Sequence, residues 1–267
     1  MKKTTYALIA ILAIMLAGIF TLLLILSHHR TNRKDCISVL VAGTTVTDRT
    51  PQFNKIVIET AGYAEFYDNE TEYSSADKLF KIICNDSVQA PSVTMSDGWK
   101  KFLSYSVSDS TLTLTFKEDC GDIAVGSSYI TVMTPTLCVL TVDDGVPVTL
   151  TRATIGVLNA KISNELNFDS CKVAKVNFTC TNQYSYVNID AAETEIDSLN
   201  VYNVDDISIS ADGRIRQTTL YGRPAISTNR ANLYGTGLID VSTVPASDDE
   251  HCFELVFYGN RSFHLND

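Results

Sequence analysis

The chain has 267 residues, 45% of them hydrophobic, and sets 21 Lys and Arg against 31 Asp and Glu for a formal net charge of −10. That acidic balance excludes a nucleic-acid partner or an anionic membrane surface, either of which needs a basic stripe. The seven cysteines are odd in number and contain no CxxC pair, so zinc and thioredoxin-like sites fail on spacing.

Tyr6 to Leu26 carries no charge and follows Lys2 and Lys3. About 20 apolar residues suffice to cross a bilayer core, so this run is read as a transmembrane helix. It exceeds the apolar stretch of a cleaved signal peptide, and Ser27-His28-His29-Arg30 is a poor cleavage site. An uncleaved signal anchor is expected, making a single-pass protein of the cell membrane. Basic residues on the two sides of the run balance. Long domains translocate largely regardless of flanking charge, so the C-terminal domain is placed outside the cytoplasm, in the periplasm or on the cell surface. Unpaired thiols argue for the opposite orientation, but free Cys also serves as a small buried hydrophobe. Cys180 falls in register with inward positions, and most of the cysteines are read as core.

Residues 1–34 form anchor and tether, and residues 46–267 are read as one domain. Its N-terminal strands occupy 46–136, regular coils 137–250 and a C-terminal cap 251–267. From Phe53 to Phe116 apolar residues alternate: Ile56 and Ile58, Phe80 and Ile82, Leu112, Leu114 and Phe116. Period-2 alternation predicts half-buried strands. The stretch from Pro91 to Phe102 is the one candidate for a short helix, with Ser96 and Asp97 as its cap and Trp99 inside as a core anchor.

From Leu137 onward one phrase recurs: apolar, two residues, apolar, one residue, apolar. Its copies start at Leu137, Ile155, Val173, Ile196, Ile215 and Leu233. A second strand is predicted eleven residues into each copy, at Val148, Leu166, Tyr184, Ile207, Ile226 and Val244. A period near 18 residues is too short for a strand–helix unit and suits stacked short strands. The predicted class is all-β, a parallel β-solenoid behind the transmembrane helix. The wider step from Val173 to Ile196 marks a surface insertion around Ala191-Ala192-Glu193. Phe253 to Phe257 breaks the register and is read as the cap.

These residues resemble a bacterial family, the putative auto-transporter adhesins with a head GIN domain. The resemblance rests on Phe53-Asn54-Lys55-Ile56-Val57-Ile58, on Leu112-Thr113-Leu114-Thr115-Phe116, and on Ile130 to Leu137. The rung phrases and Leu220-Tyr221-Gly222-Arg223-Pro224 complete it. It covers roughly residues 46–240 and implies a right-handed parallel β-helix, an exported location and an adhesin role. It supplies no catalytic residues. The chain departs from the family in lacking Ser-Gly turns between rungs.

Within each phrase Thr141, Asn159, Asn177, Asn200, Thr219 and Gly237 alternate with inward positions and should point outward. Thr141, Asn159, Asn177, Asn200 and Thr219 are the candidate binding residues, a polar stripe suited to a glycan or to another protein's edge. Stacked amides can equally serve structure alone. No cofactor and no metal is expected, since a DxDxDG calcium loop is absent and the group around His251 and Cys252 reads as an acidic loop. The expected function is non-catalytic binding, adhesion or structure at the bacterial envelope. The alternative is a carbohydrate-binding or carbohydrate-active β-helix, a polysaccharide hydrolase or lyase. An inverting hydrolase needs carboxyls about 6.5–9.5 Å apart. Asp143 and Asp144 lie three rungs from Asp205 and Asp206, too far to pair.

Overall fold

In a computed structural model the described residues are 15, 18–19, 21, 37–38, 43–62, 64–67, 79–118, 120–143, 145–163, 165–181, 184–189, 193–211, 213–224, 226, 228–235, 240–245, 252–258 and 264–265. The chain divides into two compact units, Met1–Cys36 and Ile37–Asp267. The expected membrane anchor is corrected. Among the described residues no helix is long and apolar enough to cross a membrane. Most of the Tyr6–Leu26 run, Tyr6 and Leu26 included, lies outside the described residues. A single-pass membrane location therefore has no support in the structure.

The second unit is all-β, as expected. Its first strands are β1 (Ile37–Ser38), β2 (Thr45–Arg49), β3 (Lys55–Thr60), β4 (Ala64–Tyr67), β5 (Phe80–Cys84), β6 (Ser92–Ser96), β7 (Leu103–Ser108), β8 (Thr111–Phe116), β9 (Gly121–Ala124) and β10 (Ile130–Thr134). The repeat region continues with β11 (Val139–Val142), β12 (Val148–Thr151), β13 (Thr154–Ile162), β14 (Glu165–Asp169), β15 (Lys172–Cys180), β16 (Tyr184–Ile189) and β17 (Glu195–Val204). It ends with β18 (Asp206–Ala211), β19 (Arg214–Gly222), β20 (Thr228–Gly235), β21 (Asp240–Val244), β22 (Cys252–Tyr258) and β23 (His264–Leu265).

From β11 on, successive strands alternate between two ten-stranded sheets. Even-numbered strands β12 to β22 extend one sheet and odd-numbered strands β11 to β23 the other. Each pairs in parallel with the strand two further along the chain. A small third sheet joins β1, β9 and β4.

The reason lies in the alternation. Inward residues of both large sheets meet in one hydrophobic core, with Leu158, Val176, Leu199, Ile82, Leu150 and Phe168 all fully buried. Intervening residues face out, as the pleat requires. Turns between the sheets need left-handed backbone, and this chain supplies it without glycine at Arg152 (φ 50°) and Ser170 (φ 56°). Gly235 (φ 92°) is different, because a Cβ there would lie 2.3 Å from the Ala211 carbonyl oxygen.

The predicted register holds in its middle and slips at its ends. Ile155, Val173, Ile196 and Ile215 stack as expected. Val148 stacks on Leu166 and Leu150 on Phe168, also as expected. The Leu137 copy is offset by two residues, since Leu140 pairs with Ala160 instead of Leu158. The Leu233 copy lies in the other sheet, between Ile209 and Phe257. Leu166 meets Val187 and not Tyr184. Phe253 to Phe257 does not break the register, because β22 pairs with β20 over seven residues. The predicted insertion at Ala191 and Ala192 lies outside the described residues.

Two-residue slips were invisible for a physical reason. Side chains repeat every two residues along a strand, so a slip of two still puts an apolar residue inside.

The N-terminal strands belong to the same stack. β3 lies beside β11, with Ile56 against Leu140 and Ile58 against Val142. The β7–β8 hairpin then ends that sheet. The predicted helix is a single 3-10 turn, Asp97–Lys101, with Ser96 as N-cap but no side-chain cap bond. Trp99 is fully buried within it.

One inward column contains an anomaly. It runs Leu158, Val176, Leu199, Thr218 and Val241. The Thr218 hydroxyl is buried with no hydrogen-bond partner. Valine has the same shape without the unsatisfied group, so Thr218→Val should gain about 1 kcal/mol. Thermal unfolding should shift up by about 2–4 °C, and a downward shift would mean the hydroxyl is bonded after all.

Candidate functional site

Parallel strands in register bring equivalent residues to about 4.8 Å from one another. On the odd-numbered sheet this aligns Asn159, Asn177, Asn200, Thr219 and Ser242 in one outward column. The Asn177 amide N–H donates to Asn159 Oδ1 at 2.9 Å, and the Asn200 amide N–H to Asn177 Oδ1 at 3.0 Å. Asn159 donates to the Cys138 carbonyl at 3.3 Å. Ser242 Oγ donates to Thr219 Oγ1 at 3.2 Å. Exposure declines along the ladder, from Asn159 in solvent to Asn200 at 8%.

Thr141 is not in this column. It pairs with Lys161 on one side and Val57 on the other, two residues from the expected register. It lies in the adjacent column, which runs from Val57 through Thr141, Lys161 and Thr179 to Tyr202. Tyr202 and Tyr221 stack with ring centroids 4.6 Å apart and planes 13° from parallel. Val244 follows Tyr221 and is 43% exposed. Of the five candidates the structure thus joins four in one line and moves Thr141 to a flanking one. The sequence reading missed the tyrosines. The signal was present, since each stands two residues beyond a stripe residue and shares its face.

The remaining side of the ladder is polar, with Lys175, Ser198 and Gln217 in register behind Val157. Asn carries two donors and two acceptor lone pairs, and the ladder engages one N–H of each asparagine. The surface is therefore a ridge of amides beside a pair of aromatic faces.

Groups suited to catalysis lie elsewhere and are engaged. Asp143 Oδ2 accepts from the Thr60 backbone N–H at 3.1 Å. Asp205 is paired with Arg223 at 3.6 Å, and Asp206 accepts from Asn232 at 3.2 Å. Asp144 and His251 lie outside the described residues. Among the described residues no cluster of three His, Cys, Asp or Glu could hold a metal.

Cys84, Cys120, Cys171 and Cys180 are buried and Cys252 is exposed, while Cys36 lies outside the described residues. Burial pushes the Cys84 thiol up to about 12 and the Cys171 thiol up to about 11. Neither forms the thiolate that reactivity requires near neutral pH, which fits a packing role.

No family model matches the chain, and no curated protein does either. Similar solved structures include a putative adhesin from Parabacteroides merdae at 12% identity, with 87% of this chain and 100% of that one covered and a TM-score of 0.36. A putative adhesin from Bacteroides fragilis is 16% identical over 83% and 95% of the two chains, with a TM-score of 0.33. A putative lipid binding protein from Parabacteroides distasonis is 14% identical over 87% and 100%, with a TM-score of 0.37. Two of the three carry the adhesin description that the rung motifs resemble. The overlaps are too loose and the sequences too distant to carry a function across.

Proposed function

We propose that residues 46–267 form one non-catalytic binding domain, a right-handed parallel β-solenoid whose outer face takes an extended glycan of the adhesion type. The observation that carries this reading is the alignment of the Asn159–Asn177–Asn200 ladder beside the stacked Tyr202 and Tyr221. A linear sugar chain presents hydroxyls at its edges and apolar C–H faces between them. Amides satisfy the first and aromatic rings the second. The ridge crosses four strands of one sheet, from Asn159 in solvent to the half-buried Thr219, which suits a long ligand.

The test is binding of the wild-type chain to an array of linear glycans, repeated with Tyr202→Ala and Asn177→Ala. Each variant should bind the recognised glycan at least about tenfold more weakly, the equivalent of about 1.4 kcal/mol. Folding should survive, since Asn177 makes two of the ladder's hydrogen bonds, each worth about 0.5–1.5 kcal/mol against the about 5–15 kcal/mol of a typical domain. Unchanged glycan binding in both folded variants refutes this assignment of the face and leaves the ladder a structural device.

A further inference from the structure

The outer face of the even-numbered sheet holds a different feature, a cavity of about 230 Å3 lined by Phe80, Lys81, Tyr129, Thr149, Thr151 and Asp169. Its floor is β12. Val148 and Leu150 are fully buried in the core, so Thr149 and Thr151 point the other way. Lys81 is the partner of Thr149 on neighbouring β5. Asp169 is the partner of Thr151 on β14, the strand on the other side. An ammonium and a carboxylate thus stand diagonally across two hydroxyls.

Thr149 is the decisive residue. It is only 4% exposed, and its Oγ1 is buried with no hydrogen-bond partner. A hydroxyl withdrawn from water without a partner is destabilising, and valine would fit the same space. Asp169 is only partly engaged, its Oδ1 accepting from Ser170 Oγ at 3.0 Å. Lys81 has no ion-pair partner among the described residues. Tyr129 is 44% exposed at the cavity.

We propose that this cavity binds one saccharide unit, at a site separate from the amide ridge. At about 30 Å3 per water in the liquid, the cavity holds on the order of eight waters, the scale of a compact molecule of sugar size. Lys81 and Asp169 cancel in charge, so the lining favours a neutral ligand over an anion or a cation. A sugar hydroxyl both donates and accepts, which answers Thr149, Lys81 and Asp169 together. The ring of Tyr129 offers an apolar face to the C–H side of a pyranose.

The experiment is a saturation-transfer NMR titration of the full chain with free neutral hexoses and N-acetylhexosamines, run beside glycine and inorganic phosphate. At least one neutral saccharide should bind saturably. Lys81→Met and Thr149→Val should each weaken it at least tenfold, with thermal unfolding of both variants read alongside. Thr149→Val should melt no lower than the wild type, because it removes an unsatisfied group. Should that variant fail to fold, Lys81→Met decides, since Lys81 is exposed and carries no packing role. The proposal is overturned if no saccharide binds, if only glycine or phosphate binds, or if the deciding folded variant keeps wild-type affinity.

Discussion

Val176→Asp is expected to abolish cooperative folding, leaving no thermal transition in circular dichroism. Val176 is fully buried and sits in register between Leu158 and Leu199 on the flanking strands. Removing the side chain forfeits about 1.5–3 kcal/mol of burial. The carboxylate that replaces it is flanked on both sides of the column by leucines, with no cation or donor beside it, which adds several kcal/mol. A typical domain has only about 5–15 kcal/mol of stability. Asn177→Asp, one residue along and outward, is the control and should fold. A Val176→Asp protein that melts like the wild type would show that this column does not face the core.

Trp99→Ala is the second large effect, a loss of about 3–5 kcal/mol that lowers the melting temperature by about 6–20 °C. Trp99 is fully buried. Its indole N–H donates to the Ser128 carbonyl at 2.8 Å, and its ring meets Phe116 edge-on at 6.2 Å. Phe116 in turn packs on Phe66 at 5.0 Å and Phe80 at 6.0 Å. One side chain therefore ties the 3-10 turn to both large sheets at the N-terminal end of the stack. Trp99→Phe keeps part of the volume and should recover part of the loss. A shift of less than about 2 °C in Trp99→Ala, below that expected for 1 kcal/mol, would rule out the anchoring role.

The inward pattern was legible because burial leaves a signature on every other residue. Ile155, Val173, Ile196 and Ile215 were aligned from spacing alone, and the structure aligns them the same way. Pairing at the ends was not legible, since turn lengths change from rung to rung while the alternation does not. Leu233 looked like a sixth copy because strands of both sheets obey the same inward rule, and it lies in the other sheet. Thr141 left the stripe through the same ambiguity, whereas Asn159, Asn177, Asn200 and Thr219 stayed in line. The cavity at Thr149 had no signature at all. It depends on which strands flank β12, and β5 comes from nearly seventy residues earlier in the chain.

The amide ladder also has a direction. Asn200 donates to Asn177, Asn177 to Asn159, and Asn159 to a backbone carbonyl. Three side-chain dipoles therefore point the same way and reinforce one another. They give the outer surface a polar axis built from side chains, comparable in kind to the axis of a helix. A fibre-like ligand lying along that axis meets a vector, so its two ends are distinguished. A glycan bound there as proposed would be read for its polarity as well as its chemistry.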